Sequence, residues 1–314
     1  MSIIAITDYF DAPGPEERAV LGDLVGTEVA DDTEVLMVWH TEIDEAYVSG
    51  LPRLRGVQRY GVGFDNLDLP ALKGRGLVCC NNPDYGVDEV SDTAVAMILN
   101  ITRGVLRYNE LAKGLRDTWQ ENVLGNLRRS SEITVGVIGA GRIGGSVLLK
   151  CHGLGFRTCM YDPYRDRGYE KMLGATRYDT LDELLAVADI VSIHAPLTPE
   201  TRGMVDAGFV SRMRPGASLV NTARGRIVDD LDVLFEALRD GRLEQVALDV
   251  LPDEPPPDGE LIRAWRDAGS EYSRRIVINP HTSYFSTDSY SEIRRKAAEN
   301  ALRIYKGEAP FNRL

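Results

Sequence analysis

The sequence predicts an α/β protein built from two doubly wound domains. Short apolar runs alternate with helical patterns along almost the whole chain. Apolar runs without polar alternation are typical of parallel strands that are covered by helices on both faces. The chain has 314 residues, which is longer than a single hydrophobic core usually organises. Together these observations favour two domains, each with its own parallel sheet.

The first third of the chain predicts four buried strands, at IIAIT, VLMVW, VQRYGV and LVCC. The segments between them predict helices or turns over residues 15–25, 43–50 and 67–74. Asp44 lies near one end of the second segment, and Asp68 opens the third together with Pro70. Both patterns are typical of helix N-termini.

A longer helical segment follows, from Val87 to Leu115, and it contains no proline. Ser91 or Asp92 is placed to cap its main body. Six further strand candidates come next, at ITVGVIG, FRTCMYD, DIVSIHA, ASLVNTA, QVALDV and RIVINP. Six strands that alternate with helices match the strand number of a doubly wound sheet. A last helix, from Ser286 to Gly307, carries charges of both signs.

Composition and charge restrict the partners. The chain has 36 basic and 48 acidic residues, a formal net charge of -12. Such a surface repels nucleic acid and acidic lipid, so we expect neither as a partner. A small anionic substrate stays possible, because a few arginines can dominate a closed pocket. No apolar run is long enough to span a membrane, and the N-terminal residues do not have the pattern of a signal peptide.

The four cysteines are Cys79, Cys80, Cys151 and Cys159. They show no CxxC spacing and lie in apolar contexts, so we expect reduced structural thiols and a cytoplasmic protein. Adjacent Cys79 and Cys80 would point to opposite faces of a strand, which argues against a shared zinc ion. The sequence therefore predicts no metal site.

A glycine-rich turn follows the strand ITVGVIG. It has the pattern GxGxxG, with glycines at Gly139, Gly141 and Gly144, and the helical segment RIGGSVLLKCHGLG follows it. The first glycine permits a tight turn, the second lets the backbone approach a pyrophosphate, and the third lets the helix pack close to the sheet. The helix N-terminus would face the phosphates with its partial positive charge. This context predicts a Rossmann dinucleotide-binding domain.

The next strand ends at Asp162, 21 residues after Gly141. A carboxylate at this position accepts hydrogen bonds from a ribose diol and repels a 2′-phosphate, so NAD is favoured as the cofactor. Arg165 and Arg167 lie nearby and leave NADP open as an alternative.

Three residue types that suit hydride chemistry follow later strands of this domain. Arg224 comes after ASLVN, Glu254 lies in the loop after QVALDV, and His281 comes after RIVINP. Reduction of a 2-oxo acid builds negative charge on an oxygen and requires a proton, which a histidine can donate near neutral pH. Glu254 would orient the ring of His281, and the planar fork of Arg224 can hold a carboxylate and a carbonyl oxygen. We therefore predict Arg224, Glu254 and His281 as the catalytic set.

Two of these assignments have alternatives. Asp253 lies beside Glu254, so Glu254 could be only a loop carboxylate. Arg224 could be a structural ion-pair partner. His194 follows the strand DIVSI and precedes a proline, so we expect it in a cofactor wall or in a structural role and not as the acid.

The chain resembles the D-isomer-specific 2-hydroxyacid dehydrogenases over nearly its whole length. The resemblance rests on RYGVGFDNLDL, NNPDYGVDEVSDTAVAMIL, VGVIGAGRIGG, YDPY, HAPLTPETRGMV, LVNTARGRIVDD, ALDVLPDEP and NPHTSYFS, in that order. RYGVGFDN and YDPY are most similar to the branch that contains the C-terminal-binding protein corepressors and related bacterial, phosphoglycerate dehydrogenase-like enzymes.

The resemblance implies further site residues. It implies the same catalytic set, and it implies a substrate site with backbone amides near Val62 and Gly63, with Arg59 from the same loop and with Tyr284 as an aromatic wall. Beyond the three glycines, it implies cofactor contacts from Arg142, Ile143, Asp162, His194, Pro196, Thr201, Thr222, Ala223 and Asp249. It also implies a discontinuous, flavodoxin-like substrate domain over residues 1–95 and 286–314, a Rossmann domain over residues 96–285, and a homodimer.

The expected activity is the NAD-dependent interconversion of a small D-2-hydroxy acid and its 2-oxo acid. One alternative is the same hydride chemistry on a phosphorylated or phosphonate alcohol, because Arg59 and the backbone amides could hold a dianion. Another is an NAD-sensing binding protein of the corepressor type.

Overall fold

A computed structural model describes residues 2–117, 119–125 and 127–314. Its strands are β1 (Ile4–Ile6), β2 (Val25–Gly26), β3 (Val35–Val38), β4 (Gly56–Arg59), β5 (Val78–Cys80), β6 (Thr134–Ile138), β7 (Arg157–Tyr161), β8 (Thr176–Arg177), β9 (Ile190–Ile193), β10 (Ala217–Asn221), β11 (Leu243–Leu248) and β12 (Ile276–Ile278). Its α-helices are α1 (Pro15–Leu21), α2 (Glu45–Ser49), α3 (Leu69–Gly74), α4 (Val87–Arg103), α5 (Val105–Ala112), α6 (Arg142–Gly153), α7 (Tyr169–Leu173), α8 (Leu181–Val187), α9 (Ala207–Arg212), α10 (Leu231–Arg239), α11 (Glu260–Arg266) and α12 (Thr287–Lys306).

The chain divides into two compact units, each with one parallel sheet. The first unit comprises Met1–Gly86 and Phe285–Leu314, and the second comprises Val87–Tyr284. The predicted domain boundaries lie at 95/96 and 285/286. The whole of α4 belongs to the second unit, because its buried face packs with α6 and β10.

The first unit has a five-stranded sheet in the order β2-β1-β3-β4-β5, in which all neighbours are parallel. This is the flavodoxin-like strand order. Asp44 caps α2 by accepting from Tyr47 N at 2.8 Å, and Asp68 caps α3 by accepting from Ala71 N at 3.1 Å. Asp68 therefore opens α3 as predicted, and the residue predicted near one end of α2, Asp44, is its N-cap. Strand β2, of only two residues, was not predicted.

The second unit has a seven-stranded sheet in the order β12-β11-β10-β9-β6-β7-β8. All its neighbours are parallel, and β6 pairs with β9 from Val135 opposite Ile190 to Ile138 opposite Ile193. The order reverses between β6 and β9, which is the switch point of a Rossmann sheet. The predicted count of six strands was wrong. The missed strand is β8, which lies at the sheet edge and contains one threonine and one arginine in place of an apolar run.

The predicted helix from Val87 to Leu115 is two helices. Gly104 between α4 and α5 adopts a left-handed conformation, with φ of 62°, which ends the α-helical hydrogen-bond pattern. The predicted caps at Ser91 or Asp92 were also wrong, since α4 begins at Val87 and the hydroxyl of Ser91 donates back to Val87 O at 2.6 Å. Helix α12 begins and ends as predicted, with Ser286 as N-cap and Gly307 as C-cap.

A buried ion pair fixes α12 within the first unit. The side chain of Arg294 in α12 donates to Glu17 in α1, at 2.7 Å from Nη2 to Oε2 and 2.8 Å from Nε to Oε1. Tyr60, which follows β4, donates its hydroxyl to Glu17 Oε1 at 3.0 Å. Glu17 and Tyr60 are fully buried. Each formal charge therefore has a partner, which a buried charge requires.

Two apolar cores enclose the second sheet. One lies against α8, α9, α10 and α11 and contains Phe209, Leu219 and Leu238. The other lies against α4 and α6 and contains Ile98, Val137 and Leu148. The four cysteines are free and buried. Within the described part of the chain, no helix is both long and apolar enough to cross a membrane.

Candidate active site

The predicted residues of the second unit gather along one edge of its sheet. They lie beyond the carboxyl ends of parallel strands: Gly139 after β6, Asp162 after β7, His194 after β9, Arg224 after β10, Asp249 after β11 and His281 after β12. This edge is where open α/β sheets bind their ligands.

The glycine turn between β6 and α6 has the geometry that requires glycine. Gly139 has φ of 86°, and a Cβ there would lie 2.7 Å from the backbone nitrogen of Ala195. A Cβ on Gly144 would lie 2.0 Å from the carbonyl oxygen of Gly139. At Gly141 the nearest atom to an added Cβ is Nη2 of Arg165, at 3.6 Å. The backbone at Gly141 is therefore open to a ligand, while the other two glycines allow close packing.

Helix α6 begins directly after this opening. Gly141 is its N-cap, and Arg142 and Ile143 are its first two residues. The N–H groups of a first helical turn have no partner within the helix, and they carry the positive end of the helix dipole. Together with the open backbone at Gly141, this turn fits a pyrophosphate.

Asp162 is buried and held in a defined orientation. Its Oδ2 accepts from the backbone N–H of Ala140 at 2.9 Å, and its Oδ1 accepts from the N–H of Tyr164 at 2.9 Å. These bonds connect the end of β7 to the glycine turn. Each carboxylate oxygen keeps a lone pair that a ribose diol can use.

The two nearby arginines differ in their contacts. Nε of Arg165 lies 3.8 Å from Oδ2 of Asp162. Nη2 of Arg167 lies 2.8 Å from Oδ2 of Asp179, so this guanidinium has a carboxylate partner of its own. The charge nearest to the ribose position is therefore the carboxylate of Asp162, which fits NAD better than NADP.

Within the predicted cofactor set, two residues have a buried polar atom that lacks a hydrogen-bond partner among the described residues. These atoms are Oγ1 of Thr222 and Nδ1 of His194. The other ring nitrogen of His194 lies 2.8 Å from Oγ of Ser192, and burial lowers the pKa of His194 to about 3, so the ring is neutral at pH 7. A buried polar atom without a partner is costly, and a ligand that bonds to it removes that cost. These two atoms, the glycine turn and Asp162 together fit a bound dinucleotide.

Pro196 and Thr201, two further residues of the predicted cofactor set, are hydrogen-bonded to each other in the loop after β9. The hydroxyl of Thr201 donates to the carbonyl of Pro196 at 2.6 Å and accepts from the N–H of Thr198 at 2.9 Å. Thr201 therefore fixes the course of this loop through its side chain.

Arg224 is held by its backbone. Asn221, at the end of β10, donates from Nδ2 to the carbonyl of Arg224 at 2.9 Å and accepts at Oδ1 from the N–H of Ala223 at 3.0 Å. Nη1 of Arg224 donates to the carbonyl of Ala223 at 2.8 Å. The strand end thus fixes both the loop and one nitrogen of the guanidinium.

Gly225 joins this loop to the loop that carries Glu254. A Cβ at position 225 would lie 1.9 Å from both the carbonyl carbon and the carbonyl oxygen of Leu251. The N–H of Leu251 in turn donates to Oε1 of Glu254 at 2.8 Å. Only a residue without a side chain allows the two backbones to approach this closely.

His281 and Glu254 form a hydrogen-bonded pair. Nδ1 of His281 lies 2.7 Å from Oε2 of Glu254, and both side chains are somewhat more than one-third exposed. Asp253, the alternative carboxylate, has its Oδ1 3.8 Å from Nη2 of Arg226. Of the two neighbouring acids, Glu254 is therefore the one that contacts the ring. Nε2 of His281 is the ring nitrogen that this hydrogen bond leaves unused.

The carboxylate of Glu254 is stabilised in its charged form. Burial alone would raise its pKa, but the hydrogen bond and charge of His281, the N–H of Leu251 and the charge of Arg224 together lower its pKa below the usual value of a glutamate. The charged form of Glu254 is therefore favoured by both other members of the predicted catalytic set, mainly by His281 and to a lesser extent by Arg224.

Asp249 positions the backbone around His281. It is buried, and its carboxylate accepts from the N–H of Thr282 at 3.0 Å and from the N–H of Ser283 at 3.1 Å. The N–H of His281 donates to the carbonyl of Asp249 at 2.8 Å, and His281 has φ of 53°. These contacts of Asp249 are all with the protein backbone.

The ring of Tyr284 lies edge-on to that of His281, with centroids 6.3 Å apart.

In the first unit, Arg59 is the last residue of β4, and Val62 and Gly63 lie on the loop that follows it. The N–H groups of Gly61, Val62 and Gly63 donate to no acceptor among the described residues. A Cβ on Gly61 would lie 2.6 Å from Nη1 of Arg59, so the guanidinium lies against this stretch of backbone. Free N–H groups beside a guanidinium form a favourable place for an anion.

Several positioning residues were missed by the sequence analysis. They are Asn221 and Gly225 in the second unit, and Gln58, Asn81 and Asn82 in the first. Asn221 and Gln58 lie inside strands and are fully buried, and a buried amide in an apolar strand is the signal that could have identified them. The described residues contain no cluster of three or more potential metal ligands.

Comparison with known proteins gives a family match. Residues 95–283, more than half of the chain, match the model of the D-isomer specific 2-hydroxyacid dehydrogenase, NAD binding domain. A glyoxylate reductase from Korarchaeum cryptofilum (strain OPF8) is 31% identical over 98% of this chain and 90% of its own length. A D-3-phosphoglycerate dehydrogenase from Methanocaldococcus jannaschii is 29% identical over 90% of this chain, and this chain spans 51% of that relative.

Among solved structures, the D-lactate dehydrogenase of Aquifex aeolicus, complexed with NAD and lactic acid, is similar over the whole fold. Its TM-score is 0.83 and its sequence identity is 29%, with 97% of this chain and 96% of that chain covered. These relatives are named for different substrates, so the names alone do not identify the substrate of this chain.

Proposed function

The chain belongs to the D-isomer-specific 2-hydroxyacid dehydrogenase family, and from this premise we propose that it interconverts a small D-2-hydroxy acid and its 2-oxo acid. It is an NAD-dependent oxidoreductase that acts on a CH–OH group. The observation that supports the proposal most directly is the 2.7 Å hydrogen bond between His281 and Glu254, beside Arg224.

The residues that would hold NAD are those of the sheet edge. The glycine turn and the first turn of α6, with Arg142 and Ile143, would take the pyrophosphate, and Asp162 would take the adenosine ribose. Thr222, Ala223, His194, Pro196 and Thr201 would line the remainder of the cofactor, and Asp249 would hold the turn of His281. When bound, NADH supplies the hydride for reduction, and NAD⁺ accepts it in the reverse direction.

His281 would move the proton. In the reductive direction its Nε2 donates to the carbonyl oxygen of the 2-oxo acid, and in the oxidative direction the same nitrogen accepts the hydroxyl proton. Glu254 holds Nδ1 through the 2.7 Å hydrogen bond and would orient the ring so that Nε2 faces the substrate. Arg224 would bind the carboxylate and stabilise charge that develops on the reacting oxygen, where an arginine is more effective than a lysine.

The loop after β4 would hold the acid group of the substrate. The unbonded N–H groups of Val62 and Gly63, with Arg59 beside them, support this role. Tyr284, edge-on to His281, would form an aromatic wall for the substrate.

A second candidate substrate is a phosphorylated or phosphonate alcohol. The observation that favours it is the guanidinium of Arg59 over Gly61, because a permanent cation beside three free N–H groups suits a dianion better than a monoanion. An NAD-sensing protein of the corepressor type is less well supported, since sensing alone would not require the hydrogen bond between His281 and Glu254.

The test is NADH oxidation with glyoxylate, pyruvate, hydroxypyruvate and phosphonopyruvate, with NADPH in place of NADH as the control. Preference for one of the first three supports the 2-hydroxy acid proposal, and preference for phosphonopyruvate supports the phosphonate alternative. Tight binding of NADH without turnover of any of the four would contradict both and favour sensing.

We also propose a homodimer in the cytoplasm. The chain from 105 to 123 exposes five large apolar side chains, and such a concentration is typical of an interface; they are Val105, Leu106, Leu115, Trp119 and Val123. Light scattering of the wild type and of Trp119→Ser would test the dimer, with exposed Met172→Ser as the control. A monomeric wild type would contradict it. The free, buried cysteines support a reducing compartment, which cell fractionation would check.

A further inference from the structure

The loop after β4 has its carbonyl groups and its N–H groups on opposite sides. The peptide units that join Tyr60, Gly61, Val62 and Gly63 are trans. In a trans peptide the C=O and the N–H point in opposite directions. The direction of each N–H in this loop is therefore fixed by whatever holds the carbonyl of the same peptide.

Two adjacent asparagines hold those carbonyls. Nδ2 of Asn82 donates to the carbonyl of Tyr60 at 2.9 Å, and the N–H of Asn82 donates to the carbonyl of Gly61 at 3.3 Å. Nδ2 of Asn81 donates to the carbonyl of Val62 at 2.6 Å. Three consecutive carbonyls are thus bound from one side, so the three N–H groups of the same peptides face the other side.

The asparagines are themselves fixed. Asn82 is 1% exposed and Asn81 is 6% exposed. Nδ2 of Asn82 also donates to the carbonyl of Ile293 in α12 at 3.1 Å, and its Oδ1 accepts from Nε2 of Gln58 at 3.3 Å. A buried side chain with several partners has one orientation, which makes it a rigid support for the loop.

We propose that Asn81 and Asn82 are positioning residues that preorganise the N–H groups of Gly61, Val62 and Gly63 as the binding site for the substrate's acid group. This proposal rests on the proposed function. Without the asparagines, the peptides could rotate and turn carbonyl oxygens toward the anion, which would repel it. The effect should appear in substrate binding and not in cofactor binding, because the residues assigned to NAD lie in the second unit.

Asn81 is the better residue to test, because Asn82 also contacts α12. Asn81→Asp keeps the size of the side chain but replaces the donating amide by a carboxylate that would face the carbonyl of Val62. Asn81→Ala removes the side chain. Asn300→Ala is the matched control, because Asn300 is also buried in the first unit and makes the same kind of bond, from Nδ2 to the carbonyl of Phe311 at 2.9 Å.

The experiment combines kinetics with a binding measurement that does not need turnover. KM and kcat are measured with the preferred 2-oxo acid, and the dissociation constant of oxalate is measured by calorimetry on the NAD⁺-bound protein. We expect both Asn81 variants to raise KM and the oxalate dissociation constant about five- to tenfold, the value of one hydrogen bond. The dissociation constant of NADH should stay within about twofold, and Asn300→Ala should lower the melting temperature without changing KM.

The proposal is overturned if the Asn81 variants keep the wild-type KM and oxalate affinity, or if these values change only as much as in Asn300→Ala. It is also overturned if wild-type protein does not bind oxalate at all. A wild type that binds oxalate in an Asn81-dependent way but turns over no substrate would support the positioning role while contradicting the proposed activity.

Discussion

Gly225 and Leu251 lie backbone against backbone, so close that a Cβ on Gly225 would be 1.9 Å from the Leu251 carbonyl. This contact joins the loop of Arg224 to the loop of Glu254. The relative position of a guanidinium and a carboxylate that follow different strands therefore depends on the absence of one side chain.

Gly225→Ala should separate these two loops. We expect a loss of about 1 to 3 kcal/mol in the free energy of unfolding, because the added methyl group overlaps backbone atoms that cannot move independently. Turnover should fall by more than the fraction of unfolded protein explains. Gly153→Ala is the control, since nothing lies within 4 Å of an added Cβ there. Urea unfolding and kcat are measured for Gly225→Ala and Gly153→Ala. Equal losses of stability and of kcat in the two variants would refute the role of Gly225 in joining the two loops.

Arg224→Lys should lower kcat about 100-fold, because a lysine keeps the charge but cannot reproduce the planar fork. Arg224→Ala should lower it further, and both variants should keep the NADH affinity of the wild type within about twofold. Arg226→Ala tests specificity, since Arg226 is exposed and its Nε contacts the carbonyl of Pro252 at 3.3 Å. A similar loss of kcat in Arg226→Ala would mean that general loop damage, and not the guanidinium of Arg224, explains the effect.

Glu254→Gln should lower turnover, since a neutral amide is a weaker acceptor than the carboxylate that holds Nδ1 of His281. Stability should change as well. The pKa of Glu254 is lowered in the folded state, so its carboxylate stabilises the fold above the pKa of the unfolded chain, and this contribution is lost as the pH falls through the folded pKa. Between about pH 4.5 and this lower value, the melting temperature of the wild type should fall more steeply than that of Glu254→Gln. Asp253→Asn, beside it, should follow the wild type; parallel curves for all three proteins would count against a stabilising carboxylate.

Asp162→Asn should weaken the preference for NADH. Loss of the charge removes the repulsion of a 2′-phosphate and leaves the cation of Arg165, whose Nε lies 3.8 Å from the Asp162 side chain, without this carboxylate. We expect the ratio of kcat/KM for NADH over NADPH to fall about tenfold or more. Asp166→Asn, on the exposed part of the same turn, is the control. An unchanged ratio in Asp162→Asn would show that Asp162 does not face the ribose.

Arg294→Met should destabilise the protein by about 3 kcal/mol or more, because it leaves the carboxylate of Glu17 buried without its cation. The double variant Glu17→Leu, Arg294→Met should be more stable than Arg294→Met alone, since the fully buried carboxylate of Glu17 is then removed together with its cation. Urea unfolding of the three proteins measures the difference. A double variant that is no more stable than Arg294→Met would show that the unpaired carboxylate of Glu17 does not cause the loss of stability.

The parts of the site that were predictable from the sequence are those encoded locally. The spacing of Gly139, Gly141 and Gly144 is a property of one turn, and the position of Arg224 follows from the end of one strand. Contacts between side chains and the backbone of distant segments were not predictable in this way. Nothing in the sequence says that Asn82 faces the carbonyl of Tyr60, 22 residues earlier, or that of Ile293, 211 residues later.

The fold shows the same division. Strands with apolar runs were found, whereas β2 and β8, of two residues each, carry no pattern that distinguishes them from loops. The break at Gly104 has a different cause, because a glycine inside a helical pattern is tolerated in some helices and ends others. Here Gly104 has φ of 62°, which a residue with a side chain rarely adopts, and an added Cβ would lie 2.5 Å from Cδ1 of Leu124.

The ion pair between Glu17 and Arg294 also has a consequence for biosynthesis. Glu17 and Arg294 are 277 residues apart in the sequence, and the ribosome adds Glu17 first. The carboxylate of Glu17 is therefore made long before the arginine that pairs with it. The second unit is encoded entirely within that interval and can fold while translation continues. The first unit completes its folding only when α12 has left the exit tunnel, and until then its sheet is a target for chaperones and proteases.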